Sequence, residues 1–300
     1  MKLISKVVIG TWPLSGDLGR VDKKITYKIL EYCAKVGFTE FDTAPNYGNG
    51  FMESCLGEVF GDDDRILINT KCGNSVHNVK NFNKTALEQS LDSSLGRLKR
   101  DSVHSLFLHN PRSELDDYGS VLDLFKKEKN DGRITYSGLS AAKNYNYKIP
   151  QYKNIDLLQD DVNLLFLDGM LNSKTKNHYF YARSPLATGI LSGRMTNETT
   201  FPSNDYRSTW LKGKRLKSII KRLEIIRSLT KIELPSLARR FVLQLKKVDK
   251  VIFGLKNIQH VDDLIKDIEA APIKEKLIQQ IIELQKNDFG LDPEEKSLGY

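Results

Sequence analysis

Apolar runs of four to six residues alternate along most of the chain with longer segments in which apolar residues recur every three or four positions. Short apolar runs favour buried strands, and the longer period favours amphipathic helices. An alternating order of strands and helices predicts an α/β fold with a parallel sheet. Eight strands, the number that closes a (β/α)8 barrel, are predicted at residues 6–10, 39–42, 66–71, 105–109, 136–140, 157–162, 179–183 and 251–254.

The helical segments carry signals for their ends. Asp22 can cap a first helix that stops before Gly37, and its expected apolar stripe is Ile25, Ile29, Cys33 and Val36. Segment 83–98 repeats the design, with an apolar face formed by Leu87, Leu91, Leu95 and Leu98. Later signals are Asp116 and Asp117 as caps, Gly132 as a stop, Pro235 in a first turn, and a last helix at 273–285.

A chain of 300 residues is compatible with one (β/α)8 barrel, since such barrels commonly exceed about 250 residues when loops are enlarged. We expect one domain over residues 1–300, with a C-terminal tail at about 286–300. Phe289 and Tyr300 of this tail either fold over the barrel mouth or fray. The polar stretch 196–217 predicts a long loop, and long ordered loops are often functional.

The composition, with 40% hydrophobic and 28% charged residues, is typical of a globular protein that can bury a core. No apolar run approaches the roughly 20 residues of a membrane span, and the first ten residues lack the apolar segment of a signal peptide. The expected location is the cytoplasm, without a membrane partner.

The net charge of +8 raises the question of a nucleic-acid partner. Basic residues crowd one segment: Lys212, Lys214, Arg215, Lys217, Lys221 and Arg222. The residues interleaved with them are apolar: Ile219, Ile220, Leu223, Ile225, Ile226 and Leu229. This spacing favours an amphipathic helix with a solvated basic face, and no nucleic acid is expected. A phosphorylated cofactor or an acidic substrate would use the same positive field.

Three cysteines, Cys33, Cys55 and Cys72, are an odd number without a C-x-x-C pair. The spacing argues against a disulfide framework and against a zinc site, and no metal is expected. Cys72 follows Lys71 and could feel its charge, but a half-buried strand cysteine that serves in packing is the favoured interpretation.

Four residues that can move or orient protons lie where predicted strands run into loops: Asp42, Tyr47, Lys71 and His109. Taken singly, each has an ordinary interpretation as a surface or core-edge side chain. Together they stand at the barrel rim where catalytic groups collect. A tyrosine is a poor acid at neutral pH unless a cation lowers its pKa. We expect Lys71 to do this, Asp42 to keep Lys71 charged, and His109 to orient a carbonyl oxygen.

The chain resembles the aldo-keto reductases over nearly its whole length. The resemblance rests on GTW, DTAPNYG with ESCLGEVF, NTKCG, SLDSSLGRLKRDSVHSLFLHNP, GLS, RSPLATGILSGR and VIFGLKN. It implies a (β/α)8 barrel, a catalytic tetrad of Asp42, Tyr47, Lys71 and His109, and Tyr47 as general acid. It also implies a nicotinamide cofactor, usually NADP(H) with NAD(H) possible, and in keeping with it the sequence lacks the Rossmann glycine fingerprint.

The same resemblance implies where the cofactor would be held. Ser140 and Gln159 correspond to contacts of the nicotinamide carboxamide, and Arg183 stands where an aromatic residue often stacks under the ring. The other implied contacts are Thr11 and Trp12 near the start, Ser184 and Leu186 at the pyrophosphate, and Gly254, Lys256, Asn257 and His260 around the adenosine 2′-phosphate and adenine. Lys256 favours NADP. Four positions depart from many relatives: Ala141, Arg183, His260 and Leu264.

The expected function is reduction of an aldehyde or ketone, sugar-derived or acidic, to the alcohol. The alternative is a cofactor-binding regulatory subunit of the same fold with little turnover. The partner is a small carbonyl compound, and the sequence leaves the oligomeric state and the natural substrate open. Candidates for the pocket wall are Trp12, Phe51, Tyr145, Phe201 and Trp210.

Overall fold

The computed structural model describes residues 3–19, 21–111, 115, 117–141, 145, 154–172, 178–203, 205–292, 294 and 298. Within them, eight parallel strands close into a barrel in chain order, and the last strand pairs with the first. The strands are β1 (Val7–Gly10), β2 (Glu40–Asp42), β3 (Leu67–Cys72), β4 (Val103–His109), β5 (Ile134–Ser140), β6 (Leu157–Asp161), β7 (Tyr179–Arg183) and β8 (Lys250–Gly254). The predicted (β/α)8 fold is confirmed, with strand ends that differ from the predicted ones by at most two residues.

Helices surround the barrel and follow the strands. In the described residues they are α1 (Lys23–Lys35), α2 (Phe51–Phe60), α3 (Lys84–Leu98), α4 (Tyr118–Asn130), α5 (Asp168–Asn172), α6 (Gly213–Ser228), α7 (Leu234–Gln244), α8 (Ile258–Glu269) and α9 (Glu275–Lys286). Among them, none combines the length and apolarity of a membrane span.

The barrel interior is filled by side chains. One apolar layer consists of Val8, Phe107, Leu157, Tyr181 and Ile252. Gly138 makes room for it, because a Cβ there would lie 2.3 Å from the Phe107 ring. Beside this layer the buried carboxylate of Glu40 accepts hydrogen bonds from Tyr181 Oη at 2.9 Å and Lys250 Nζ at 2.6 Å. Because side chains fill the interior, a catalytic site is expected at the rim of the barrel.

Side-chain caps begin several helices as predicted. Asp22 accepts hydrogen bonds from two backbone amides of α1, and Asn83 and Asp117 cap α3 and α4 in the same way. Asp116 lies outside the described residues. One stripe residue is wrong: Ile25 is 52% exposed, and the buried face of α1 is Thr26, Ile29, Leu30 and Cys33. At the N-terminal end of α1, Thr26 rather than Ile25 therefore belongs to the buried face.

The basic segment forms α6, and its lysines are exposed as expected. Arg222 is an exception, because it is buried and donates a hydrogen bond to the Ser218 carbonyl at 3.1 Å. Its guanidinium also lies 5.8 Å from the ring centroid of Phe289. Phe289 is buried, so this part of the tail packs on the barrel, whereas Tyr300 lies outside the described residues.

All three cysteines are buried free thiols. Burial raises the pKa of Cys72 and keeps its sulfur protonated. Its position beside Lys71 in sequence does not activate it, because neighbouring residues of a strand point to opposite faces. Packing is the interpretation that the structure supports.

Candidate active site

The carboxyl ends of the strands surround an open cleft of about 1270 Å³. Asp42 ends β2, His109 ends β4 and Arg183 ends β7, and all three line the cleft. Tyr47 reaches it from the turn after β2. Gly48 shapes that turn with a φ of 61°, and a Cβ there would lie 2.5 Å from the Ser15 carbonyl oxygen.

The four residues of the predicted tetrad lie together. Lys71 Nζ is 2.5 Å from Asp42 Oδ1, 2.7 Å from the Thr43 carbonyl oxygen and 3.3 Å from Tyr47 Oη. The Tyr47 and His109 rings meet edge to face with centroids 6.0 Å apart. The Lys71 side chain is 1% exposed and acts on the cleft only indirectly, through its contact with Tyr47. The ammonium therefore bridges the carboxylate and the phenol.

The pKa values in this cluster reflect a balance between burial, which disfavours charged side chains, and neighbouring groups of opposite charge. Burial opposes the charge of Lys71, but the Asp42 carboxylate and Tyr47 hold the pKa of Lys71 above its usual value. Burial also raises the pKa of Tyr47, and Lys71 opposes this rise without cancelling it. The expectation that Lys71 brings the phenol to an unusually low pKa is therefore wrong for the free protein. Burial of the hydroxyl outweighs the ammonium.

His109 is almost fully buried. Burial, followed by the charges of Lys71, Arg183 and Lys80, lowers the pKa of His109 well below 6.5. The ring is therefore neutral at physiological pH, with one nitrogen as donor and the other as acceptor. Among the described residues, its Nδ1 has no hydrogen-bond partner.

A chain of hydrogen bonds joins the tetrad to the next strands. Gln159 Nε2 donates to Asp42 Oδ2 at 2.9 Å, and Ser140 Oγ donates to Gln159 Oε1 at 2.8 Å. Arg183 Nη1 donates to Ser140 Oγ at 2.9 Å. Ser140 is fully buried behind Gln159 and Arg183, which line the cleft. The three predicted nicotinamide contacts thus form one group beside Asp42.

The loop after β7 has an unusual backbone. Ser184, Ala187 and Thr188 have positive φ angles of 54°, 48° and 54°. Ser184, Leu186 and Thr188 line the cleft, whereas Ala187 is buried and its amide donates to the Ser184 carbonyl at 2.8 Å.

The remaining predicted contacts divide into two groups. Trp12, Gly254, Lys256 and His260 line the cleft. Lys256 Nζ donates to the Leu18 carbonyl at 2.6 Å, and its pKa is lowered by burial and then by Arg207. Thr11 and Asn257 have structural contacts instead. Thr11 Oγ1 donates to the Asp42 carbonyl, and Asn257 Oδ1 caps α8 by accepting from the His260 amide.

Several lining residues were missed by sequence reasoning. Asp161 pairs with Arg183 at 3.0 Å, and its position two residues after Gln159 on the same strand face was an available signal. Arg194, Arg207, Arg215 and Arg239 line the cleft too. Besides burial, the charge of Arg207 acts on Lys256, and the charges of Arg239 and Arg194 act on His260, in each case lowering the pKa. Arg207 was hidden in the long loop, where it pairs with Asp205 and lies 4.4 Å from the Phe201 ring centroid.

The opposite side of the cleft is rich in carboxamides. Asn46, Asn74, Asn78 and Asn110 line it together with Lys80. Asn46 Nδ2 donates to Asn78 Oδ1 at 2.9 Å, and Lys80 Nζ donates to the Asn110 carbonyl at 2.9 Å. Of the candidate wall aromatics, Trp12, Phe201 and Trp210 line the cleft, whereas Phe51 and Tyr145 pack against the core.

The model of the Aldo/keto reductase family matches residues 6–286. Aldo-keto reductase YhdN of Bacillus subtilis (strain 168) is 27% identical over 222 residues, which are 68% of this chain and 65% of that protein, just under two thirds. L-galactose dehydrogenase of Arabidopsis thaliana is 25% identical over 279 residues, 87% of this chain and 83% of that protein. The structure of a glycerol dehydrogenase from Gluconobacter oxydans superposes with a TM-score of 0.76 at 21% identity, covering 96% of this chain and 94% of that one.

Proposed function

The chain belongs to the aldo-keto reductase family, whose members are NAD(P)H-dependent oxidoreductases of small carbonyl compounds, and we propose that it reduces an aldehyde or ketone with NADP(H) while Tyr47 protonates the oxygen. The observation that carries this proposal is the position of Lys71 Nζ, 2.5 Å from Asp42 and 3.3 Å from Tyr47 Oη. A buried phenol with an ammonium at its oxygen is suited to give up a proton to a growing alkoxide.

Tyr47 supplies the proton, and the positive charge of Lys71 stabilises the phenolate that remains. A nicotinamide held in the cleft would supply the hydride that the carbonyl carbon accepts, leaving negative charge on the oxygen as the C=O electron pair moves there. Tyr47 donates its hydroxyl proton to that oxygen, so the alcohol and a phenolate result. Lys71 stabilises the phenolate until a proton from solvent restores Tyr47.

His109 orients the carbonyl. Because its pKa is lowered by burial and by neighbouring cations, the ring is a neutral hydrogen-bond donor rather than a competing acid. Its edge-to-face contact with Tyr47 puts both groups on the same small region of the cleft. A carbonyl oxygen there accepts from His109 and from Tyr47 together.

The described residues fit a nicotinamide dinucleotide. Gln159 lines the cleft and presents the carboxamide side chain that can meet the nicotinamide, while Ser140, buried behind it, holds Gln159 in place through a 2.8 Å hydrogen bond. The loop after β7, whose Ser184 and Thr188 line the cleft, offers hydroxyl side chains to a pyrophosphate. The cations grouped around Lys256 and His260, which are Arg194, Arg207 and Arg239, suit a further phosphate, which favours NADP over NAD.

The carboxamide side of the cleft favours a substrate with several hydroxyl groups. Asn46, Asn74 and Asn78 are neutral donors and acceptors, and Lys80 adds one positive charge near His109. A sugar-derived aldehyde or an acidic hydroxy-carbonyl compound meets both features. The relative named L-galactose dehydrogenase is consistent with this class.

The test is to mix the protein with NADPH or NADH and a panel of hydroxylated, acidic and aromatic aldehydes. The absorbance of the reduced cofactor then measures the rate of reduction. Hydroxylated or acidic substrates with NADPH should give the highest kcat/KM, and Tyr47→Phe should lower kcat by about 10²–10⁴-fold. Equal turnover by Tyr47→Phe would contradict the acid role. Tight nucleotide binding without turnover of any carbonyl would favour the regulatory subunit instead.

A further inference from the structure

Arg183 is the most extensively bonded cation at the reaction centre. Its Nη1 donates to Ser140 Oγ at 2.9 Å and to Asn110 Oδ1 at 3.2 Å, and Nη2 donates to the Ala141 carbonyl at 2.8 Å. Its Nε is 3.0 Å from Asp161 Oδ1. Four partners from three strand ends fix the guanidinium in one orientation, with a fifth of the side chain exposed to the cleft.

The charge of Arg183 is permanent and acts on the tetrad. Burial opposes the charge, but Asp161 and Asp160 hold the pKa of Arg183 above its usual value. The same guanidinium contributes to the lowered pKa of His109 and opposes the raised pKa of Tyr47. The positive charge of Arg183 therefore acts on the part of the cleft where hydride transfer would occur.

We propose that Arg183 makes the site discriminate between the two oxidation states of the cofactor, so that the reduced nicotinamide binds more tightly than the oxidised one. This inference rests on the proposed function. A ring that lies against Gln159 within reach of Tyr47 is next to Arg183, because all three residues line the cleft and Arg183 is joined to Gln159 through the buried Ser140 hydroxyl. The oxidised ring carries a positive charge that the reduced ring lacks, and two cations in a partly buried site repel each other.

The negative charge of Asp161 opposes the repulsion between Arg183 and the oxidised ring. The proposal can therefore be tested by removing either charge, with opposite expected results. Asp161 is the ion-pair partner of Arg183, and both side chains are about one fifth exposed. Removing the guanidinium leaves a carboxylate that attracts the oxidised ring. Removing the Asp161 carboxylate leaves the guanidinium compensated only by Asp160. A purely structural role would weaken both cofactor forms alike in each variant.

The experiment measures the Kd of NADP⁺ and of NADPH by titration calorimetry in the wild-type protein and in Arg183→Met, Arg183→Lys and Asp161→Asn. The ratio of the NADP⁺ Kd to the NADPH Kd should fall about tenfold in Arg183→Met and rise severalfold in Asp161→Asn, at an effective dielectric constant of about 20 with partial cancellation by the partner. Arg183→Lys should keep the ratio within about threefold of wild type, because the charge remains.

Lys256→Met is the matched control, since it removes a cation that lines the same cleft but is not among the charges that act on His109 and Tyr47. It should weaken both cofactor forms and leave the ratio unchanged. A ratio that stays constant in Arg183→Met and Asp161→Asn, or that moves in the same direction in both, would overturn the proposal for Arg183. Absence of binding of either nucleotide to the wild-type protein would instead overturn the proposed function.

Discussion

Replacement of Lys71 by methionine removes the charge that links Asp42 to Tyr47 while keeping most of the side-chain volume. Lys71 Nζ lies 3.3 Å from Tyr47 Oη, and the attraction between an ammonium and a phenolate at that distance is about 5 kcal/mol at an effective dielectric constant of about 20. Part of this attraction is recovered by relaxation. We therefore expect kcat for carbonyl reduction to fall about 10³-fold, which corresponds to about 4 kcal/mol.

The assay is steady-state oxidation of NADPH at saturating substrate, together with the Kd of NADPH. The Kd should change by less than about fivefold, because Lys71 does not line the cleft and is 1% exposed. Loss of kcat with an unchanged Kd is the signature of a group that acts in the transition state.

Folding must be controlled, because Lys71→Met leaves the buried Asp42 carboxylate without its cation. Breaking a buried ion pair in this way costs about 3–5 kcal/mol of stability. The double variant Lys71→Met with Asp42→Asn removes both charges and should regain most of that stability without regaining kcat. If Lys71→Met keeps kcat within threefold of wild type, the ammonium is not needed by Tyr47 and the reasoning fails.

Two further predictions concern stability. Ile29→Ala should lower the free energy of unfolding by about 2–5 kcal/mol in urea, whereas Ile25→Ala, one turn earlier on α1 and 52% exposed, should change it by less than about 1 kcal/mol; equal losses would contradict the buried face of the helix. Burial lowers the pKa of His109, so below about pH 6.5 the unfolded chain takes up a proton that the folded chain refuses, and stability falls as the pH is lowered. His109→Asn should show a shallower fall between pH 7 and pH 5, and parallel curves would contradict the lowered pKa.

The barrel was predictable because its signals are local. Alternating apolar runs and helical periods define the order of elements, and caps such as Asp22 and Asn83 act on amides within three residues. A parallel order then requires that strand ends meet at one rim, so the approach of Asp42, Lys71 and His109 follows from the order of strands.

The properties that sequence reasoning missed depend on packing between distant segments. Arg222 is buried and lies 5.8 Å from the ring of Phe289, which is more than 60 residues away in sequence, and the exposure of Ile25 depends on how α1 packs against its neighbours. The raised pKa of Tyr47 depends on the depth of burial, which a motif does not encode. The partners of Arg183 lie at or just after the ends of β4, β5 and β6, so their arrangement required the folded barrel.

The central claim is that Tyr47 gives its proton to a carbonyl oxygen beside a bound nicotinamide. Single-turnover mixing of NADPH-loaded protein with the best carbonyl substrate measures this step directly, in wild type and in Tyr47→Phe. We predict that Tyr47→Phe binds NADPH with a Kd within about threefold of wild type and transfers hydride at least about 10²-fold more slowly. Hydride transfer at the wild-type rate in Tyr47→Phe, with cofactor bound, would contradict the claim.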